Sequence, residues 1–267
     1  MKSLLALYVQ QFKTTLATML QYRAELVIWT IGQILEPLVY LIVWSVVSNT
    51  NGGSVGGYTA ADFAAYFVVL MLVNQVSYTW IMYEFEYRVR EGALSFALLR
   101  PVHPIHSDIS DNLSSKIITL PIILLVGAGL ALGFHAHITP PLWAIAVFIP
   151  SLLFAFLVRF LVEWTLALAA FWTTRVEAIN QTYFVLMLFL SGQISPLTLL
   201  PQPIQIVSYL LPFRWLISFP VELLLGRVTP AEAFVGLGAQ AAWLGVSFTL
   251  MRLVWRAGVK AYTAVGT

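Results

Sequence analysis

Five predominantly apolar runs, at about 24–47, 60–82, 113–134, 141–172 and 232–255, decide what this chain can fold into. Each is long enough to cross the roughly 30 Å of hydrocarbon in a bilayer. A backbone amide finds no water there, so a crossing segment satisfies its own hydrogen bonds as a helix or joins a closed barrel. The runs are continuous and lack the alternation of barrel strands, which selects helices. A sixth run, about 179–194, is short and leads into a segment broken by Pro196, Pro201, Pro203, Pro212, Pro220 and Pro230. Each proline removes a donor and strains the preceding turn, so 195–231 is expected as re-entrant helices on the outer side. The expected fold is an all-α integral membrane protein, a single domain over 1–267. It has six transmembrane helices, an N-terminal amphipathic interfacial helix over 1–23, and Pro-broken re-entrant helices before the last span.

Composition agrees. Hydrophobic residues make up 60% of the chain and charged ones 10%, where soluble domains carry roughly 25% charged. The absence of cysteine removes disulfides, thiolate metal sites and cysteine nucleophiles. Within 1–23, Leu4, Leu5, Tyr8, Val9, Phe12, Leu16, Met19 and Leu20 share one helical arc, with Gln10, Gln11, Lys13, Thr14 and Thr18 largely opposite. That pattern reads as a helix lying in the interface, and its Gln, Lys and Thr do not suit the apolar core of a cleavable signal peptide.

Basic residues set the orientation. Lys2, Lys13 and Arg23 precede the first span, Arg88, Arg90, Arg100 and Lys116 follow the second, Arg175 follows the fourth, and Arg252, Arg256 and Lys260 end the chain. The loops "SNTNGGSVGGYTAAD" and "HAHITPP" contain no Lys or Arg, and only Arg214 and Arg227 fall on that side. By the positive-inside rule both termini are cytoplasmic. "NGGSVGG" reads as a flexible outer loop.

The largest inner loop, 84–112, concentrates charge: Glu84, Glu86, Arg88, Arg90, Glu91 and Arg100 fall within 17 residues. It carries a helix-compatible piece, "EYRVREGALSFALL", stopped at "RPVHP" by two prolines. Leu94, Leu98 and Leu99 give this piece an apolar side, while Arg88, Glu91 and Arg100 keep it wet. A short amphipathic helix held below the membrane suits docking to a cytoplasmic partner.

The order of an amphipathic N-terminal helix, two spans, "REGALSFALLRPVHP" and the tail "WRAGVKAYTAVG" resembles permease subunits of the ABC-2 type, within a six-span exporter-like branch. The resemblance covers nearly the whole chain, and its most specific parts are G-x-L-x-x-x-LLRP at Gly92 to Pro101 and the aromatic tail around Tyr262. Ser95 is a departure, because such sequences often have an acidic residue there. The resemblance implies a bacterial plasma (inner) membrane protein. It also implies that Glu84, Arg88, Arg90, Glu91, Gly92, Leu94, Leu98, Leu99, Arg100 and Pro101 form a coupling element seated in an ATP-hydrolysing subunit. No GxxxxGK[ST] occurs, so ATP and Mg would be bound by a separate ABC ATPase chain, with no cofactor in this one.

Several polar residues sit inside spans. Glu36, followed by Pro37, lies near the middle of the first, where a carboxylate costs on the order of 3 kcal/mol. It is either a pathway residue meeting a proton or cation, or half of a structural interhelical bond. Asn74, Gln75, Ser77 and Tyr78 form a polar patch in the second span, suited to interhelical hydrogen bonding, with substrate contact as the alternative. Arg159 and Glu163, four apart, read as a structural pair. His103 with His106, and His135 with His137, lack the partners of a metal site and read as ordinary loop histidines.

The sequence therefore points to the transmembrane subunit of an ATP-driven exporter. It would pair with a second permease subunit, be surrounded by membrane lipids, bind no nucleic acid, and move an amphipathic or hydrophobic substrate such as a drug-like molecule, lipid or glycolipid. A secondary transporter or channel without an ATPase is the alternative, but no paired half-repeats of broken helices are evident. An integral-membrane lipid enzyme would require a cluster of His or carboxylates at one membrane face, which is missing.

Overall fold

The computed structural model describes residues 2–173 and 176–262. Arg175 lies outside the described residues, as do 263–267 of the tail and the side chains of Lys2 and Arg23.

The chain is a helical bundle. Among the described residues, five helical stretches are long and apolar enough to cross a membrane, at Val27–Thr50, Ala60–Arg90, Ile105–Gly133, Leu142–Phe171 and Pro230–Ala261. These belong to helices α2 (Arg23–Thr50), α3 (Ala60–Ser77) with α4 (Ile81–Arg90), α6 (Ile105–Gly133), α7 (Leu142–Ala167) with a 3-10 turn at Leu168–Phe171, and α12 (Pro230–Ala261). The expected sixth span is α8 (Glu177–Leu190), whose 14 residues reach only about 21 Å. The remaining helices are α1 (Lys2–Gln21), α5 (Ala93–Leu98), α9 (Gln202–Leu210), α10 (Phe213–Leu216) and α11 (Ser218–Leu224).

Position in the bundle follows residue size and polarity. Helix α3 is buried along most of its length, from Phe63 to Val73, and packs against α2, α6, α7 and α11. Helix α7 is the other centre, and α12 lies along it. The buried residues of α12 are mostly small, Ala233, Gly236, Ser247 and Gly258 among them, which lets the two backbones approach closely. A Cβ at Gly236 would stand 2.1 Å from the Phe219 ring, and one at Gly258 2.1 Å from Phe171. Both α3 and α12 begin at capping boxes, Thr59 with Asp62 and Thr229 with Glu232. The outer sides of α2, α6 and α12 expose Ile28, Leu35, Leu125 and Val246, as side chains facing lipid do.

The Pro-broken segment forms short helices as expected, and α10 and α11 are wholly buried apart from the last residue of α11. Arg214 pairs there with Glu222 at 2.7 Å, and Gln240 of α12 donates to the Trp215 and Ser151 carbonyls at 2.7 and 3.1 Å.

Two features differ from the sequence expectation. "NGGSVGG" is an ordered hairpin, strands β1 (Ser54–Val55) and β2 (Tyr58–Thr59), turned by Gly56 and Gly57 at φ +56° and +80°. Two positive φ angles give the tight turn that matches strand twist, and Ser48 holds the hairpin by donating to Gly53 O at 2.9 Å. The segment 84–112 is largely helical: α4 continues the line of α3, and α6 starts at Ile105. The polar start of α6 is stable as helix because α1 lies against it. Gln11 and Thr15 donate to Asp111 Oδ1 at 3.0 and 2.6 Å, and Tyr8 meets His106 at 3.1 Å. Leu5, Val9 and Leu20 of α1 stay exposed, an apolar face free for the interface.

Candidate functional site

Helix α3 stops at Ser77 and α4 resumes at Ile81. An interruption within an apolar bundle frees backbone carbonyls that need partners. Lys116 of α6 supplies one, donating from Nζ to Tyr78 O at 2.6 Å. Arg159 of α7 fixes the end of α3, its Nη1 donating to Asn74 Oδ1 at 2.8 Å and Ser77 Oγ at 3.1 Å. Its Nε donates to Glu163 Oε1 at 2.8 Å, and its guanidinium lies 5.3 Å from the Tyr78 ring centre. Glu163 also accepts from Thr79 Oγ1 and, at 3.2 Å, from Tyr183 Oη. Arg159 and Glu163 are both buried and form the expected pair. It binds α3, the break, α7 and α8 into one network.

Asn74, Ser77 and Tyr78 of the second-span patch and the Arg159–Glu163 pair, read as two groups in the sequence, therefore meet at one place. Gln75 turns the other way and donates to Thr119 of α6 at 2.6 Å. Thr79 and Tyr183 complete the network without having been singled out, since nothing local in the sequence marks a residue that pairs with another span, and Lys116, read in the sequence only as an inner-side charge, joins it at Tyr78 O. Glu36 is not part of it. Its side chain is exposed on α2 and has no hydrogen-bond or ion-pair partner among the described residues.

The second feature is the elbow of α4 and α5. Gly92 joins them with φ +70°, a backbone conformation that costs a side-chain-bearing residue about 1 kcal/mol or more. The elbow is anchored inward. Arg88 is not solvated as expected but bonds Asp108 Oδ1 at 2.7 Å, and Asp108 Oδ2 accepts from Trp164 Nε1 at 2.8 Å. Leu94 is fully buried and Leu98 partly so. Ser95 meets Tyr262 Oη at 3.0 Å, which brings together the motif at 92–101 and the aromatic tail. Around them stack Phe85, Trp164, Phe171, Trp255 and His103, with His103 4.5 Å from Trp255. Burial and the neighbouring His106 hold the His103 imidazole below its usual pKa.

What the elbow presents outward is Phe96 and Leu99, 73% and 83% exposed, one turn apart on the free side of α5. Arg90, Glu91, Arg100 and Pro101 surround them at the surface. Of the expected apolar side, only Leu99 points away from the bundle. Phe96 was missed because a helical wheel cannot tell which apolar side of so short a helix faces its own bundle.

The architecture is that of a polytopic helical membrane protein with a broken second span, a buried ionic network and an apolar elbow. A family model of ABC-2 family transporter proteins matches residues 34–266. The chain belongs to that family, and its role is that of an ABC-2 permease. No curated protein and no solved structure matches the chain.

Proposed function

We propose that this chain is the transmembrane subunit of an ATP-driven ABC exporter of the bacterial plasma membrane. It works as a homo- or heterodimer of permease subunits with two ABC ATPase chains, which bind the ATP and Mg. On this reading the chain crosses six times, counting α8 as a short crossing, and the basic residues of its inner segments favour cytoplasmic termini and a cytoplasmic α4–α5 elbow, with 195–231 near the outer face. ATP binding draws the ATPase chains together, the elbow transmits that motion through Arg88, Asp108 and the aromatic cluster, and a pathway between permease subunits alternates its access. The exported molecule is an amphipathic or hydrophobic one.

The observation that carries this reading is the elbow itself, rigidly held by Leu94, Arg88 and Ser95 yet presenting Phe96 and Leu99 to solvent. Two large apolar side chains on a tightly anchored helix are an investment that solvent alone does not reward. Phe96→Asp and Leu99→Asp test it, because neither disturbs the bundle. Both variants are expected to insert and melt as the parent does, while losing the co-purifying ATPase and transport. Retention of the ATPase at parental stoichiometry in both would refute the coupling role. Leu98→Asp is a poorer probe, since Leu98 packs against the core and its loss confounds folding with coupling.

A further inference from the structure

A cavity of about 360 Å³ opens beside the α3–α4 break, between α1, α2 and α6. Its volume falls in the roughly 300–1,000 Å³ range of small-ligand sites. Three polar groups on its lining are short of partners. Lys116 lines it with an ammonium that has one hydrogen bond, to Tyr78 O. That ammonium has no carboxylate partner among the described residues, because Glu163 is already engaged by Arg159, Thr79 and Tyr183. Gln33 and Gln75 line it too, and Oε1 of each is buried without a hydrogen bond. The rest of the lining mixes hydroxyl and amide side chains such as Thr18, Asn112 and Ser115 with an aromatic wall, where Trp29 and Trp80 lie tilted against each other at 5.1 Å.

A buried cation without a counter-charge and two buried acceptors without donors each cost free energy, and the cost is removed by a ligand that supplies the missing groups. We infer that this cavity holds the headgroup of a membrane amphiphile that combines one negative charge with hydroxyl donors. The anion meets Lys116, the hydroxyls donate to the Gln33 and Gln75 amides, and the apolar body lies along Trp29 and Trp80. A phosphatidylglycerol headgroup has this chemistry. A phosphatidylcholine headgroup lacks the donors and carries a compensating cation that Lys116 would repel. Glu36, one turn further along α2, is not on the lining.

The test reads binding and uses neither ATP nor an ATPase. Its failure therefore leaves the transport reading standing, and loss of transport does not bear on it. The full chain is reconstituted in phosphatidylcholine vesicles containing increasing fractions of bromine-tailed phosphatidylglycerol or bromine-tailed phosphatidylcholine, and tryptophan emission is followed. Phosphatidylglycerol is expected to half-quench the emission of Trp29 and Trp80, taken as the difference from a Trp29→Phe, Trp80→Phe variant, at a mole fraction on the order of fivefold lower. Lys116→Gln should abolish that preference and Lys116→Arg should retain it. If Lys116→Gln does not fold, Gln33→Glu adds a negative charge to the lining without touching the Lys116 bond and should weaken quenching by phosphatidylglycerol alone. Equal quenching by both lipids in the parent, or an undiminished preference in Lys116→Gln or Gln33→Glu, overturns the inference. Recovery of emission on adding glycerol 3-phosphate, the headgroup without tails, would assign the site to a soluble phosphate ester and overturn the lipid reading.

Discussion

Arg159 and Glu163 stand four residues apart on one helix, a spacing that at an exposed surface contributes only about 0.2–0.5 kcal/mol. Buried as they are, they stand under a different rule: removing one partner strands the other charge in the bundle, at about 3–5 kcal/mol. Glu163→Leu and Arg159→Met should each lower the melting temperature in detergent sharply, and the double variant should recover part of the loss, because it leaves no unpaired charge. A double variant as unstable as the sum of the singles would show that Asn74, Ser77, Thr79 and Tyr183, not the ion pair, hold the network. Glu36 behaves oppositely. Without a partner among the described residues it has little stability to lose, so Glu36→Gln should leave melting unchanged. If it lines the transport pathway, transport by the reconstituted complex should fall or lose its pH dependence. A lowered melting temperature at normal transport would make Glu36 structural.

At the scale of elements, the connection between α5 and α6 packs on α7 and α12 through His103, which meets Trp164 and Trp255. Burial opposes protonation of His103, so its pKa in the folded protein lies below the unfolded one. A group with a depressed pKa contributes stability that is present above the unfolded value, about 6.5, and lost as pH falls through the folded one. Protection of the amides in 93–104, relative to their intrinsic exchange rate at each pH, should therefore fall below that pH in the parent and respond much less in His103→Phe. An equal acid response in both would place the sensitivity elsewhere. The spans were legible in the sequence because an apolar run of bilayer length has one stable form, and the proline-broken segment because prolines exclude a long helix. The ends of the loops were not. Whether Asp108 begins a helix or belongs to a loop depends on Arg88 and Trp164 across the bundle, and the order of the "NGGSVGG" hairpin depends on Ser48. The polar residues of the network were legible as one patch and one pair, but their convergence needed Thr79 and Tyr183, which both meet Glu163 of α7.

For the whole molecule, the central claim is that the elbow end of the bundle faces the cytoplasm and seats an ATP-binding chain. The lack of cysteine makes this testable one position at a time. Ser54 in the hairpin is exposed, and Ser54→Cys avoids the strain of a side chain at Gly53, where φ is +95°. Phe96→Cys marks the elbow. In intact cells an impermeant maleimide should label Ser54→Cys and spare Phe96→Cys. In the complex purified from native membranes, a thiol-directed photo-crosslinker at Phe96→Cys should join a chain bearing GxxxxGK[ST], and the same reagent at Ser54→Cys should not. A crosslink to such a chain from Ser54→Cys instead, or no ATP-binding chain captured from Phe96→Cys in a complex that transports, would contradict the account.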